Sequence, residues 1–174
     1  MVLGVVIAGY FLGFTGCQTT RKAVVQARGW IPWIHSGGQS SRPVLSPVGE
    51  VRTRGLALTL RLDPFPVNLL ETRRVEAVIQ LENVSSRFIQ LEFPTTQRFE
   101  VFVRDEAGKL VAQWSEDQAF EPTPGTVGIN PGEHLEYLGV FSTRDLRPSK
   151  RYTVTAFFPN RSDLKAELSF VPER

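Results

Sequence analysis

The sequence predicts an all-β fold, an antiparallel immunoglobulin-like β-sandwich of about seven or eight strands. Three observations support this prediction. After residue 55, apolar and polar residues alternate over short segments, which is the pattern of half-buried strands. Turn-forming residues separate these segments about every 10 to 15 residues, as in sandwich folds. Helical periodicity is hard to find anywhere in this region.

The predicted strands follow one another along the chain. The first alternates from Leu56 to Leu62 and ends at Asp63-Pro64, and the second alternates from Val75 to Leu81. A third strand is predicted at residues 88–93. Beyond the fourth and fifth, three more strands are expected near residues 135–141, 152–158 and 164–171.

The fourth and fifth strands are predicted as a β-hairpin within residues 93–115, the most informative stretch of the chain. Its first strand places apolar and polar side chains on opposite faces, namely Phe99, Val101 and Val103 against Arg98, Glu100 and Arg104. The turn runs from Asp105, whose carboxylate can accept backbone N–H groups, to Gly108, which tolerates positive φ. The return strand, residues 109–115, carries Leu110, Ala112 and Trp114 on one face. Trp114 is expected to fill the core between the sheets.

The N-terminus predicts where the protein works. Residues 1–16 carry no charged side chain, and the run is shorter than the roughly 20 residues of a membrane-spanning helix, so it fits a signal peptide. Residues 14–17 resemble a bacterial lipobox, and Cys17 is then the lipid attachment site. The alternative is an uncleaved apolar anchor or a buried core segment, with Cys17 as a packed thiol.

The predicted organisation has three parts. A signal peptide spans residues 1–16, lipidated Cys17 opens a flexible linker that ends at residue 55, and the sandwich domain spans residues 56–174. The linker is rich in Gly, Pro and Ser and sustains no helix or strand period. Such a chain is expected in a bacterial cell envelope, outside the cytoplasmic membrane. The outer membrane is preferred because Gln18, and not Asp, follows the cysteine.

Composition excludes several classes of function. The 20 basic and 18 acidic residues are dispersed, and no basic stripe with interleaved aromatic residues indicates nucleic-acid binding. A lone cysteine cannot form an internal disulfide or, by itself, a zinc site. His134 and Glu136 share a strand face and could supply two metal ligands, but no third is evident. We expect no catalytic residue, metal or cofactor, and therefore no enzyme.

Five different short motifs lie between residues 83 and 133. They are Asn83-x-Ser85, Phe93-x-Thr95-x-Gln97-x-Phe99-Glu100, Asp105-x-x-Gly108, Trp114-Ser115 and Pro131-Gly132-Glu133. In order and spacing they resemble the intracellular proteinase inhibitor (BsuPI) family, over about residues 73–158. The resemblance implies a non-enzymatic domain whose partner is a protease. By their residue types, most motif positions are expected to shape the fold, and Gln97 is expected to bond backbone groups near the start of the hairpin.

The segment from Glu116 to Asn130 is the best candidate for a binding surface. It is long for a sandwich connection, and Pro122 and Pro124 stiffen it. An extended loop of this kind could dock as an added strand in the cleft of a subtilisin-like serine protease, with Phe120 or a neighbour in the specificity pocket. Phe120 packing under its own loop is the alternative. The candidate protease-binding residues are Ala119, Phe120, Glu121, Pro122, Thr123 and Pro124.

Two hypotheses of different classes follow. The first is a membrane-tethered inhibitor of a subtilisin-like protease. The second is an envelope module in which the same sandwich binds another protein or a cell-wall polymer and inhibits nothing.

Overall fold

A computed structural model describes residues 47–174 of the chain. This part folds into ten strands and one short 3-10 helix at Trp114–Asp117. The prediction of an all-β sandwich is therefore confirmed, with two strands more than the upper estimate. The strands are β1 Gly49–Thr53, β2 Leu56–Asp63, β3 Arg74–Asn83, β4 Ile89–Phe93, β5 Glu100–Asp105, β6 Leu110–Gln113, β7 Gly125–Ile129, β8 His134–Ser142, β9 Tyr152–Phe158 and β10 Arg161–Phe170.

All neighbouring strands pair antiparallel, in two four-stranded sheets and one two-stranded ribbon. The first sheet has the order β1-β2-β3-β8, the second has the order β10-β9-β5-β6, and β4 pairs with β7 in the ribbon. The alternation of apolar residues determines this arrangement, because it gives each sheet one face that must be covered. The buried core draws on both sheets, with Leu58, Leu60, Ile79 and Leu81 from the first and Val101, Val103, Val154 and Ala156 from the second.

The two additional strands are short and lie where no strand was predicted. β1 lies in the stretch expected as linker, and its five residues pair with β2 along their whole length. β7 lies inside the long loop predicted at residues 116–130 and pairs with β4. Both strands begin with glycine, and apolar and polar residues alternate only weakly along them. Pairing with a neighbouring strand therefore determines their β structure more than their own sequences do.

The strand register distinguishes the two ends of the sandwich. At one end Asp63 pairs with Glu76 and Arg74 with Ser142, and the chain enters β1 near this end because Gly49 pairs with Leu60. We call it the entry end.

At the other end of the first sheet Leu56 pairs with Asn83. Here the hydroxyl of Thr53 in β1 donates a 3.3 Å hydrogen bond to Asp163 in β10. This bond connects the first sheet to the second sheet at this end. We call it the loop end. No helix within residues 47–174 has the length and apolar character needed to cross a lipid bilayer.

Candidate functional site

The hairpin turn is confirmed in its atomic detail. Oδ1 of Asp105 accepts hydrogen bonds from the backbone N–H groups of Ala107 and Lys109, at 3.0 and 2.9 Å. Gly108 has a φ of 81°, which an L side chain rarely adopts. The return strand is shorter than predicted, since β6 ends at Gln113 and the chain then turns into the 3-10 helix.

Glu100 is the residue whose environment differs most from expectation. The alternation of β5 places it opposite the core, where a carboxylate is normally hydrated, yet it is only 4% exposed. Its Oε1 accepts the N–H groups of Val101 at 2.9 Å and of Ser115 at 3.2 Å. Its Oε2 accepts the hydroxyl of Ser115 and the side-chain amides of Gln97 at 3.3 Å and Gln113 at 3.4 Å. We call these four residues, Gln97, Glu100, Gln113 and Ser115, the carboxylate cluster.

The carboxylate cluster fastens the base of the candidate loop. Ser115 and Gln113 precede that loop, Gln97 precedes β5, and Glu100 binds all three, so one buried side chain joins separate stretches of backbone. Gln97 also donates to the carbonyl of Phe99 at 3.1 Å, which confirms the bond to backbone predicted for it. No buried side-chain polar atom in residues 47–174 lacks a hydrogen-bond partner, so the burial of this carboxylate is compensated.

Trp114 lies at the border of the core and not at its centre, which corrects the expectation that it fills the space between the sheets. It is half-buried, because it stands on the 3-10 helix after β6 has ended. Its ring stacks on Phe99 with centroids 4.1 Å apart and meets Phe120 at 5.8 Å. Phe99 in turn contacts Tyr137 of β8 at 5.4 Å. This row of aromatic rings continues from the core to the candidate loop.

The candidate loop is shorter than predicted. With the 3-10 helix before it and β7 after it, the irregular part is Gln118–Pro124. All six residues predicted to bind a protease lie in it. Phe120 is half-buried against Trp114, in the arrangement considered as the alternative. The other five are exposed, namely Ala119, Glu121, Pro122, Thr123 and Pro124.

The middle of the loop is bonded to the segment before β5. The N–H of Thr96 donates to the carbonyl of Glu121 at 3.0 Å, and the N–H of Glu121 donates to the Thr96 hydroxyl at 2.9 Å. Nearby, the guanidinium of Arg98 lies 4.7 Å from the ring centroid of Phe93 and donates to the carbonyl of Thr95 at 2.7 Å.

The end of the loop is closely packed as well. Gly125, where β7 begins, pairs with Phe93 of β4, and a Cβ atom there would come within 2.8 Å of Nη2 at the flexible end of Arg98. The loop is therefore held at its base, in its middle and at its exit, while most of its side chains face solvent.

The remaining sequence-predicted sites lie elsewhere. Cys17 is outside the described residues. His134 and Glu136 are both exposed on β8, and no group of three His, Cys, Asp or Glu residues in the described part of the chain has the geometry to hold a metal. Sequence reasoning missed the carboxylate cluster, although the motif spacing of Gln97, Glu100 and Ser115 was a signal for it.

No curated protein matches the chain. Among solved structures, it is similar to β-glucosidase 3B from Thermotoga neapolitana in complex with α-D-glucose, at 18% sequence identity and a TM-score of 0.34. The aligned part covers 74% of this chain and 16% of that enzyme, so the chain spans less than a fifth of its length.

One protein family matches, over more than half of the chain. Residues 68–163 match the intracellular proteinase inhibitor family, BsuPI. The matched range contains β3 to β9, the carboxylate cluster and the candidate loop. The sequence resemblance and the family match thus agree, and the chain belongs to the BsuPI family of intracellular proteinase inhibitors.

Proposed function

We propose that this protein is a membrane-tethered, non-enzymatic inhibitor of a subtilisin-like serine protease, and that it binds the protease through residues 119–124. The observation that carries the proposal is the candidate loop itself, which is exposed along one side and fastened to the domain in three places. Membership of a proteinase-inhibitor family supports the general role.

The fastening of the loop matters because ordering a flexible segment on binding costs conformational free energy. Glu100 holds the base of the loop, Thr96 bonds to Glu121 in its middle, and two proline rings restrict φ near its end. A loop ordered before binding loses little entropy when it enters a protease cleft as an added strand.

The hydrogen bonds of the free loop restrict which atoms can bind the protease. Both backbone groups of Glu121 are already bonded to Thr96, and Pro122 has no N–H. Backbone bonds to a protease would therefore come from residues on either side of Glu121, including Ala119 and Thr123. Phe120 would enter a specificity pocket only after leaving Trp114, so an exposed neighbour is the better candidate for that contact.

Membrane tethering through Cys17 is part of the same proposal. The described chain begins at the entry end, whereas the β9–β10 turn and the candidate loop lie toward the loop end, where Asn160 and Pro124 line one cleft. A tether attached before β1 would hold the domain by the end away from the loop. That placement supports the proposal because the loop stays accessible to a protease.

Inhibition titrations of the full chain, purified in detergent, against a panel of secreted subtilisin-like proteases test the proposal. We expect tight inhibition of at least one protease, and at least tenfold weaker inhibition by the Phe120→Ala/Pro122→Ala variant. Because Phe120 also packs on Trp114, Thr123→Asp provides a second variant that leaves this packing intact. Pro148→Ala, in the distant segment between β8 and β9, is the matched control.

The outcomes separate the two hypotheses. Inhibition that survives both loop variants would remove the loop from the mechanism. If no protease is inhibited and envelope extracts yield a different bound protein or a cell-wall polymer, the non-inhibitory module replaces the inhibitor.

A further inference from the structure

The entry end brings together two basic segments that are far apart in the sequence. Arg74 of β3 pairs with Ser142 of β8, and the carbonyl of Arg73 accepts the N–H of Thr143 at 3.1 Å. The hydroxyl of Thr143 donates to the carbonyl of Thr72 at 2.7 Å and joins the two segments further. Between them lies a cleft of about 700 Å³, lined by Leu69, Arg73, Arg74, Ser142, Thr143, Arg144 and Leu146.

Within residues 47–174, the three arginines that line this cleft have no carboxylate partner. Arg73, Arg74 and Arg144 are exposed, and within residues 47–174 none of them forms a salt bridge. Residues 68–74 and 142–151 together hold six basic and two acidic side chains, whereas residues 47–174 as a whole hold 16 basic and 18 acidic ones. Positive charge is therefore concentrated in these two segments, whereas the rest of the described chain is acidic.

Exposed apolar side chains accompany these charges. Leu70 is 72% exposed, more than any other large apolar side chain in the described part of the chain, and it lies in the loop that leads to Arg73. Val48, where the described chain enters β1, is 59% exposed. Basic residues beside a few exposed apolar ones are typical of surfaces that bind the interface of an anionic membrane.

We propose that the entry end docks on an anionic lipid surface, with the guanidinium groups of Arg73, Arg74 and Arg144 on headgroup phosphates and Leu70 in the interfacial layer. Guanidinium groups suit this role because their planar donors match phosphate oxygens in pairs. The location of the chain entry argues for a membrane, since the chain before β1 leads to Cys17, the proposed site of lipid attachment. This inference relies on the tethering proposed above to bring the domain close to lipid.

Docking by the entry end has a consequence for orientation. The candidate loop, with its exposed Glu116, Asp117 and Glu121 nearby, would point away from the negatively charged bilayer. A tether alone permits every orientation of the domain. Contacts between the arginines and lipid would select the one in which the acidic loop faces the surroundings.

Hydrogen–deuterium exchange of the lipidated protein in vesicles tests this proposal, because the same tether at Cys17 is present in every sample. Vesicles of phosphatidylcholine alone are compared with vesicles that contain phosphatidylglycerol. We expect residues 68–74 and 142–151 to exchange more slowly in the anionic vesicles only. The Arg73→Gln/Arg74→Gln variant should weaken docking about 25-fold, at about fivefold for each cationic side chain.

Arg54→Gln/Arg87→Gln, which removes the same charge at the loop end, is the matched control and should keep the protection. Equal exchange in both kinds of vesicle, or equal loss in the control, would overturn the proposal. Inorganic phosphate is added to a sample without vesicles as a further arm. Full protection by phosphate alone would mean that the cleft takes a free anion and would overturn the membrane assignment. Protease titrations of the same variant, expected to be unchanged in detergent, keep this result separate from that of the proposed inhibition.

Discussion

The two ends of the sandwich use their charged side chains in opposite ways. At the loop end, the carboxylate of Glu100 is buried and accepts hydrogen bonds from two glutamines and a serine. These hydrogen bonds hold the backbone in place. At the entry end, Arg73, Arg74 and Arg144 are exposed and unpaired within the described residues. The loop end is thus built for a fixed shape, and the entry end presents positive charge.

This difference predicts how substitutions at the two ends should behave. A buried, fully bonded carboxylate leaves several donors unpaired when it is removed, which costs stability. Exposed unpaired arginines contribute little to folding, since surface substitutions usually change the free energy of unfolding by less than about 0.5 kcal/mol. Substitutions at the loop end should therefore lower the free energy of unfolding much more than substitutions of the arginines at the entry end.

The largest effect is expected for Glu100→Ala. The substitution removes the acceptor of the N–H and hydroxyl of Ser115 and of the amides of Gln97 and Gln113. With the acceptor gone and a small cavity left, we expect a loss of about 3 kcal/mol in the free energy of unfolding, measured by urea denaturation. Glu116→Ala, an exposed acidic residue nearby, is the control. Equal stabilities of the two variants would mean that the carboxylate cluster does not hold the loop.

The second largest loss in the free energy of unfolding is expected for Trp114→Ala. Its ring stacks on Phe99 and contacts Phe120, so its removal leaves a gap between the core and the candidate loop. Because Trp114 is only half-buried, we expect a loss of about 2 to 3 kcal/mol, below the range for a fully buried tryptophan. Trp114→Phe should recover much of it. Faster hydrogen exchange confined to residues 118–124 in the Ala variant would confirm that the ring supports the loop.

Most of the fold was predictable from sequence because its signals are local. The alternation of β2, β3 and β9 and the Asp-to-Gly turn of the hairpin depend on residues that are near each other in the chain. β1 and β7 were missed because they are short and glycine-containing, and their partners β2 and β4 determine them.

Neither end of the sandwich could be predicted in the same way. The burial of Glu100 depends on Ser115, which lies on a different segment. The basic cleft depends on the register that places Arg74 opposite Ser142. The alternation of apolar and polar residues along one strand contains no information about either contact. The sequence therefore indicated where the loop lies, but not the hydrogen bonds that fasten it.

A smaller effect is expected from loosening the loop without removing a contact. Pro122→Gly and Pro124→Gly restore backbone freedom, mainly in the unfolded chain, and each should lower the free energy of unfolding by about 1 kcal/mol or less. The same freedom must be lost on binding, so the double variant should inhibit a target protease several-fold less well. Pro148→Gly, away from the loop, should match the stability change and leave inhibition unaltered. Loss of inhibition in that control would point to global destabilisation instead.

The smallest effect concerns the ion pair of Arg161 and Asp163, which lies within β10 at the loop end. Both oxygens of Asp163 accept hydrogen bonds from Arg161 at 2.9 Å, and this pairing, with a further bond from Thr53, holds the pKa of Asp163 well below its usual value of 3.8. A carboxyl group whose pKa is lower in the folded state stabilises the fold above about pH 4 and loses that contribution as the pH falls. Since the pair is partly exposed and screened by solvent, Asp163→Asn should cost no more than about 1 kcal/mol at pH 7. Urea denaturation from pH 7 down to pH 2 should show the two proteins converging in stability. A difference that persists unchanged at pH 2 would mean that the charge on Asp163 does not stabilise the fold.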